Sequence, residues 1–434
     1  MTRSPITPVL EPSAKQGTHG KQDDQLIRRA ELVISYVLRG GVLLSAAIVV
    51  LGIAMTLYNN LMQRSHASDA SQAFPHTVGS VLQGVLAGEA QAIIMLGLLL
   101  LLATPVIRVA VSIIAFGLER DWRYVGITSL VLLILIVSFL FGLGGGRSST
   151  PEQVLAGQPV SYFALVFVGA MGAGLVGALV GLGGGIFIVP LLTLVFGLPI
   201  QVAIGASIVS VIATSSGAAS AYVRDHLTNL RIGMFLEIAT TLGALCGALL
   251  VAVAPGQLLF VVFGMVLAIS AVPLLVRIGE ELPTGVTNDR WARLLALAGS
   301  YPDRRLGRNV SYAVTRVPLG VALMYVAGLI SGLLGIGSGT FKVLAMDTAM
   351  RLPLKVSTTT SNFMIGVTAV ASALIYFERG AIHPMVAAPI ALGVLVGAVL
   401  GAKLLPRLSN STVRKIFVPL LLFIAVEMLI RGLG

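Results

Sequence analysis

The sequence predicts an all-α polytopic membrane protein, with an inverted-repeat core of broken or re-entrant helices and an N-terminal three-span domain. Three observations predict it. Hydrophobic residues make up 56% of the 434 and charged residues only 11%, with a mean hydropathy of +0.96. A water-facing surface needs far more charge than that. Second, a shift of 154 residues carries GLVGALVGLGGGIFIV (Gly174 to Val189) onto GLISGLLGIGSGTFKV (Gly328 to Val343), and the match continues without a gap. Third, the basic residues that flank the apolar segments change sides between the two copies.

Residues 1–26 are polar and rich in Pro, Gly and Ser, and lack a signal peptide's basic-then-apolar order. They read as a disordered cytoplasmic tail, with the N-terminus inside. A three-span membrane domain is expected over 27–145. Its first span is Gly40 to Tyr58, and its third is Val125 to Leu143. The second run, from about Val78 to Leu118, is too long for one straight crossing. Either it ends at Thr104-Pro105, with an amphipathic piece along the membrane, or it is kinked. Apolar runs here reach the roughly 20 residues of a spanning helix, and the alternating ten-residue segments of an outer-membrane barrel do not occur.

After a Gly/Ser/Pro-rich connector comes the duplication, repeat 1 over 160–277 and repeat 2 over 317–434. Leu198-Pro199 meets Leu352-Pro353, Ser207 meets Ser361, and GALCGAL (Gly243 to Leu249) meets GAVLGAK (Gly397 to Lys403). From 174 to 250 about one position in four is identical, more than so apolar a composition gives by chance. Repeat 1 reads as apolar segments near 160–181, 186–197, 201–223, 231–254 and 257–277. Repeat 2 reads as 317–335, 340–351, 355–377, 382–403 and 413–431. The second segment of each, about twelve residues or some 18 Å of helix, is too short to cross alone. It reads as half of a broken or re-entrant pair, with the glycine cluster at the break.

Charge orients the copies. Arg351, Lys355, Lys403, Arg407, Arg414 and Lys415 flank the segments of repeat 2, and their counterparts in repeat 1 are all uncharged. Conversely, Arg224 and Arg231 lie where repeat 2 has Glu378 and Met385. The positive-inside rule puts equivalent loops on opposite faces, so the repeats are inverted, the architecture of many secondary transporters. The basic linker over 278–316 falls inside, with the ERDWR loop (Glu119 to Arg123). This placement accounts for the net charge of +11 without nucleic acid as a partner.

The GLGGG and GIGSG breaks, the Leu-Pro after each, AIGAS (Ala203 to Ser207) and STTTSNFMIGVTA (Ser357 to Ala369) together resemble the sulfite exporter TauE/SafE family over about 160–434. The first block, with TPVIRVAVSIIAFGLERDWRYV (Thr104 to Val125), is similar to a three-span bacterial membrane domain of unknown function found beside or fused to such exporters. The resemblance implies export of sulfite or an organosulfonate across the inner membrane of a bacterial or archaeal cell.

The residues suit a small anion. No GxxxxGK[ST] string occurs, so GLGGG is not a nucleotide loop. Unwound backbone at membrane depth is tolerated only inside protein or along a wet cavity. Gly183, Gly184 and Gly185 of one break, and Gly337, Ser338 and Gly339 of the other, would aim unpaired N–H groups and positive helix ends at a substrate. Gly174, Gly177, Gly243, Gly247, Gly397 and Gly401 read instead as close helix packing.

Lys342 is a costly intramembrane charge in GTFKVLAMD. It contacts the substrate anion, or Asp347 neutralises it. Ser207 and the stretch holding Thr360, Ser361 and Asn362 offer hydrogen bonds to oxyanion oxygens, or bond helix to helix. Glu237, near Arg231, and Glu427, four residues before Arg431, read as locally paired or snorkelling; Glu89 and Arg108 are a pair or a proton path. No catalytic constellation, cofactor motif or metal-ligand spacing stands out, and the lone Cys246 packs in an apolar run.

The expected protein is therefore a secondary transporter, an exporter by alternating access, in contact with the bilayer and a small anionic substrate. A coupling ion (H+ or Na+) and a homodimer are further expectations. The alternatives are a membrane-embedded regulatory or scaffold protein, or an importer of another small anion.

Overall fold

The computed structural model describes residues 19–62, 75, 77–143, 160–180, 184–224, 227–251, 253–275, 285–303, 307–404 and 410–434. Residues 1–18 of the expected tail, the connector at 144–159 and Gly181 to Gly183 lie outside them.

The first block folds as α1 (His19–Met62), α2 (Val78–Leu86), α3 (Ala90–Leu118) and α4 (Trp122–Leu143). The stretches Ser35–Asn59, Ala90–Leu118 and Trp122–Gly142 are long and apolar enough to span. The long second run divides earlier than the sequence suggests. A Thr77–Ser80 capping box starts α2, and Gly88 at φ +74 turns the chain out of it. From Ala90 the helix continues through Pro105 to Leu118, so of the two alternatives the end at Thr104-Pro105 is not the one adopted. A proline inside a spanning helix is tolerated where neighbouring groups take up the freed backbone.

Repeat 1 comprises α5 (Val160–Val180), α6 (Gly185–Pro190) with a π-turn at Leu191–Val195, α7 (Ile200–Arg224), α8 (Leu230–Val251) and α9 (Gly256–Leu275). A linker follows, with α10 (Arg290–Leu294) and an antiparallel hairpin of β1 (Gly299–Asp303) and β2 (Arg308–Tyr312). Repeat 2 comprises α11 (Val317–Leu334), α12 (Gly339–Leu344) with a π-turn at Ala345–Ala349, α13 (Leu354–Glu378), α14 (Pro384–Leu404) and α15 (Asn410–Leu433). From α6 onward each element of repeat 2 starts 154 residues after its counterpart, the π-turns included. The two half-helices end alike: Gly197 at φ +67 and Arg351 at φ +55 are left-handed, and the Leu198 and Leu352 N–H groups close back on the Leu192 and Met346 carbonyls at 2.9 and 3.0 Å. Leu-Pro then starts the next helix.

Contacts at the helix ends show the copies to be antiparallel. Leu227, after α7, accepts from the Thr359 hydroxyl near the start of α13 at 2.8 Å. At the equivalent place a Cβ on Gly205, near the start of α7, would run into the Ala381 carbonyl after α13. So α7 starts where α13 ends and ends where α13 starts. A 25-residue helix, about 37 Å long, separates these two ends by a bilayer's thickness. The remaining packing follows the same two-fold logic, with α5 along α14, α11 along α8, and α9 along α15. The small-residue stripes allow it. A Cβ at Gly243 would collide with the Tyr325 carbonyl, and one at the equivalent Gly397 with the Met171 carbonyl, itself 154 residues before Tyr325.

One end of this assembly gathers the loops that the charges place inside. Arg123 and Tyr124 donate to the Leu294 and Leu295 carbonyls of the linker at 2.9 and 2.7 Å, and Arg231 pairs with Asp121 at 3.0 Å. Asn229 donates to the Tyr312 hydroxyl at 2.7 Å and the Leu297 carbonyl at 3.2 Å. Burial pushes the Tyr312 phenol up to about 12, with the Asn229 bond opposing it. The linker is thus folded onto the core, α10 capped by Asp289 (2.6 Å to the Ala292 N–H). The first block is also part of the packing: α1 lies along α7, α4 against α8 and α13, and α3 reaches α7, α13 and α14.

Candidate functional site

The two breaks meet through Ser207. Its buried hydroxyl lies 3.0 Å from the Gly185 carbonyl at the start of α6 and 2.9 Å from the Gly335 carbonyl at the end of α11. One hydroxyl of repeat 1 thus laces its own half-helix to the break of repeat 2. Ser361, the counterpart, bonds the Gly339 carbonyl at 3.2 Å. The break in repeat 2 holds three left-handed residues, Gly335 (φ +68), Gly337 (φ +73) and Ser338 (φ 46). Two glycines adopt that backbone without a Cβ penalty, and Ser338 is held in it at the head of α12. The Ser338 hydroxyl is buried with no hydrogen-bond partner among the described residues. Gly184 and Gly185 are buried on the facing side, packed against Val394 and Val211.

One turn into α12, Lys342 is fully buried. Its ammonium donates to Thr368 Oγ1 on α13 at 2.6 Å, and Thr368 in turn donates to Glu237 Oε1 on α8 at 2.6 Å. Thr240, one turn after Glu237, closes the group at 3.2 Å from both the carboxylate and Thr368. The partner of Lys342 is therefore a Thr368–Glu237 relay from two other helices rather than Asp347 on its own element. Glu237 Oε2 has no hydrogen-bond partner among the described residues. Near the C-terminal end of α15, Arg431 donates to the Thr193 carbonyl in the π-turn after α6 at 3.0 Å.

The other expected residues are spread along α13. Thr360 accepts from the Asn229 backbone N–H at 3.2 Å, at the linker end. Asn362, half-buried, donates to the Thr358 carbonyl of its own helix at 3.0 Å. Thr360 thus stands about 12 Å of helix rise from Thr368. The structure brings together Gly184, Gly185, Ser207, Ser338, Gly339 and Lys342, places Ser361 on that same break, and leaves Thr360 with the α7–α8 turn. Gly183 lies outside the described residues.

Sequence reasoning missed Thr368 and Thr240 and undervalued Glu237. Thr368 carried a signal, since it aligns with Thr214 in the repeat. Among the described residues, no group of three His, Cys, Asp or Glu side chains is placed to hold a metal ion.

The core matches the family model described as sulfite exporter TauE/SafE over residues 165–428. Residues 34–140 match a second family, described as a protein of unknown function (DUF1634). Among curated proteins, the chain is 27% identical over 281 residues to the probable membrane transporter protein YunE of Bacillus subtilis, covering 63% of this chain and 99% of YunE. It is 27% identical over 53% of this chain to the probable membrane transporter protein YdhB of the same organism, covering 85% of YdhB. A probable membrane transporter protein, ORF9, from Sinorhizobium sp is 25% identical over 62% of this chain and 92% of its own length. No solved structure matches the chain.

Proposed function

The chain belongs to the sulfite exporter TauE/SafE family, and from that premise we propose that it exports a small sulfur-containing oxyanion, such as sulfite or an organosulfonate, across the inner membrane. The observation that carries this reading is a fully buried lysine at a backbone break, where two antiparallel copies converge. Intramembrane lysines are costly and mark ion and substrate pathways. The breaks offer backbone and hydroxyl groups at the same depth.

The exporter works by alternating access, two units rocking against each other around the breaks, each drawing helices from both copies. The Ser207 contact with Gly335 crosses between the copies, so separation of the breaks must release it. The shared α5–α14 and α8–α11 pairs, packed backbone to backbone, move as units. Lys342 holds the anion, and Glu237 takes over the neutralisation of Lys342 when the anion leaves. In this reading an ion gradient or the membrane potential supplies the energy, unless the carrier is passive. Outward movement of an anion from a cell negative inside gains about 2.3 kcal/mol per charge per 100 mV.

Efflux of radiolabelled sulfite or sulfoacetate from proteoliposomes tests the reading. Wild type should empty the vesicles, and Lys342→Ala should slow efflux by roughly tenfold or more, the loss of one charged hydrogen bond. Efflux unaffected by Lys342→Ala counts against the site, and no efflux of either anion removes the substrate class.

A further inference from the structure

Arg108 belongs to the first block, yet its side chain ends in the core. It lies on α3, ten residues or about 15 Å from that helix's nearer end, too deep for its head to reach the interface. It is fully buried, and Nε, Nη1 and Nη2 all lack a hydrogen-bond partner among the described residues. Its guanidinium carbon lies 4.3 Å over the centre of the Phe363 ring on α13, a cation–π contact that takes no hydrogen bond to an oxygen acceptor.

One turn further along α13, Gly366 presents no side chain; a Cβ there would sit 3.4 Å from Arg108 Nη2 and 2.8 Å from the Ser215 hydroxyl of α7. Gly366 stands two residues before Thr368, which bonds both Lys342 and Glu237, so the Arg108 head meets α13 beside that buried group. Among the described residues, this buried group then holds two cations, Arg108 and Lys342, against the Glu237 carboxylate, and an uncompensated charge in so dry a place is costly. An oxyanion supplies the missing negative charge, and its two oxygens match the guanidinium fork.

We propose that the first block completes the anion site of the core, with Arg108 as a substrate-binding cation that acts together with Lys342. The ligand class is an oxyanion able to offer two oxygens to one guanidinium, as sulfite and sulfonates do. This rests on the oxyanion-carrier reading above. The three-span block is then part of the binding machinery and not an attachment to it.

The test is equilibrium binding of sulfite and of sulfoacetate to the purified full-length protein, by calorimetry, with unliganded melting recorded for each variant. Arg108→Gln should weaken binding by roughly tenfold or more, the loss of a charge-assisted bond. Arg108→Lys keeps the charge but not the fork, and should fall between, weaker than wild type by roughly threefold or more. If Arg108→Gln does not fold, Arg108→Lys decides alone. Wild-type affinity in these variants, with Lys342→Gln binding poorly, overturns the role of Arg108 while the carrier reading stands. Lower unliganded melting with unchanged affinity overturns it too, since that is what ring stacking alone predicts. If wild type binds neither anion, the carrier reading fails and this inference falls with it.

Discussion

Thr368→Val removes one hydroxyl from the centre of the buried group and leaves shape and volume nearly unchanged. That hydroxyl has a single proton. It accepts from the Lys342 ammonium at 2.6 Å and gives its proton to Glu237 Oε1 at 2.6 Å, with the Met364 carbonyl a more distant acceptor at 3.1 Å. Each bond to a charged partner is worth about 1.5–3 kcal/mol. Valine forfeits both, but Lys342 and Glu237 remain neighbours, and a direct ion pair between them recovers part of the loss. The expected destabilisation is therefore about 2–3 kcal/mol, near half of the sum. Reversible unfolding in mixed detergent micelles measures it, with Thr368→Ser as the control that keeps the hydroxyl and loses under about 1 kcal/mol. A loss below about 0.5 kcal/mol for the valine variant, or serine as damaging as valine, would show that the three side chains are not linked in this way.

The packing stripes and the lacing serine make further predictions. Gly243→Val and Gly397→Val should each cost about 2 kcal/mol or more, because each added Cβ meets a backbone carbonyl that cannot give way. Gly126→Ala, where nothing lies within 4 Å, should be neutral or stabilise by up to about 1 kcal/mol; the same unfolding assay reads all three. Ser207→Ala should slow anion efflux from proteoliposomes more than Ser361→Ala, since Ser207 touches both breaks and Ser361, among the described residues, only its own. Equal effects would argue against a special place for Ser207 between the copies.

The repeat was legible because the sequence preserves what the backbone needs twice. Gly197 and Arg351, Leu198-Pro199 and Leu352-Pro353, and the GALCGAL and GAVLGAK stripes each mark a turn, a helix start or a close crossing that recurs 154 residues on. Flanking charge gave the inversion, because loop charge answers to the membrane face and not to the partner helix. The buried group was harder to read. Lys342 stands out as a charge in an apolar string, whereas its partners Thr368 and Glu237 lie on other helices, and Asp347 is nearer in sequence. No spacing rule links positions brought together only by the crossing of α8, α12 and α13. Arg108 was legible as a costly charge and silent about its destination, since the way the first block docks is not written in any periodicity. The division at Gly88 was missed because a proline inside an apolar run draws attention that a single glycine does not.

The most direct measurement is an anomalous difference map from crystals grown with selenite, the heavier analogue of sulfite. A single intramembrane peak is expected beside the Gly335 to Gly339 break, within hydrogen-bond distance, about 3 Å, of the Lys342 ammonium. A peak confined to the linker or the helix ends, with none at Lys342 under conditions where selenite binds in solution, would contradict it.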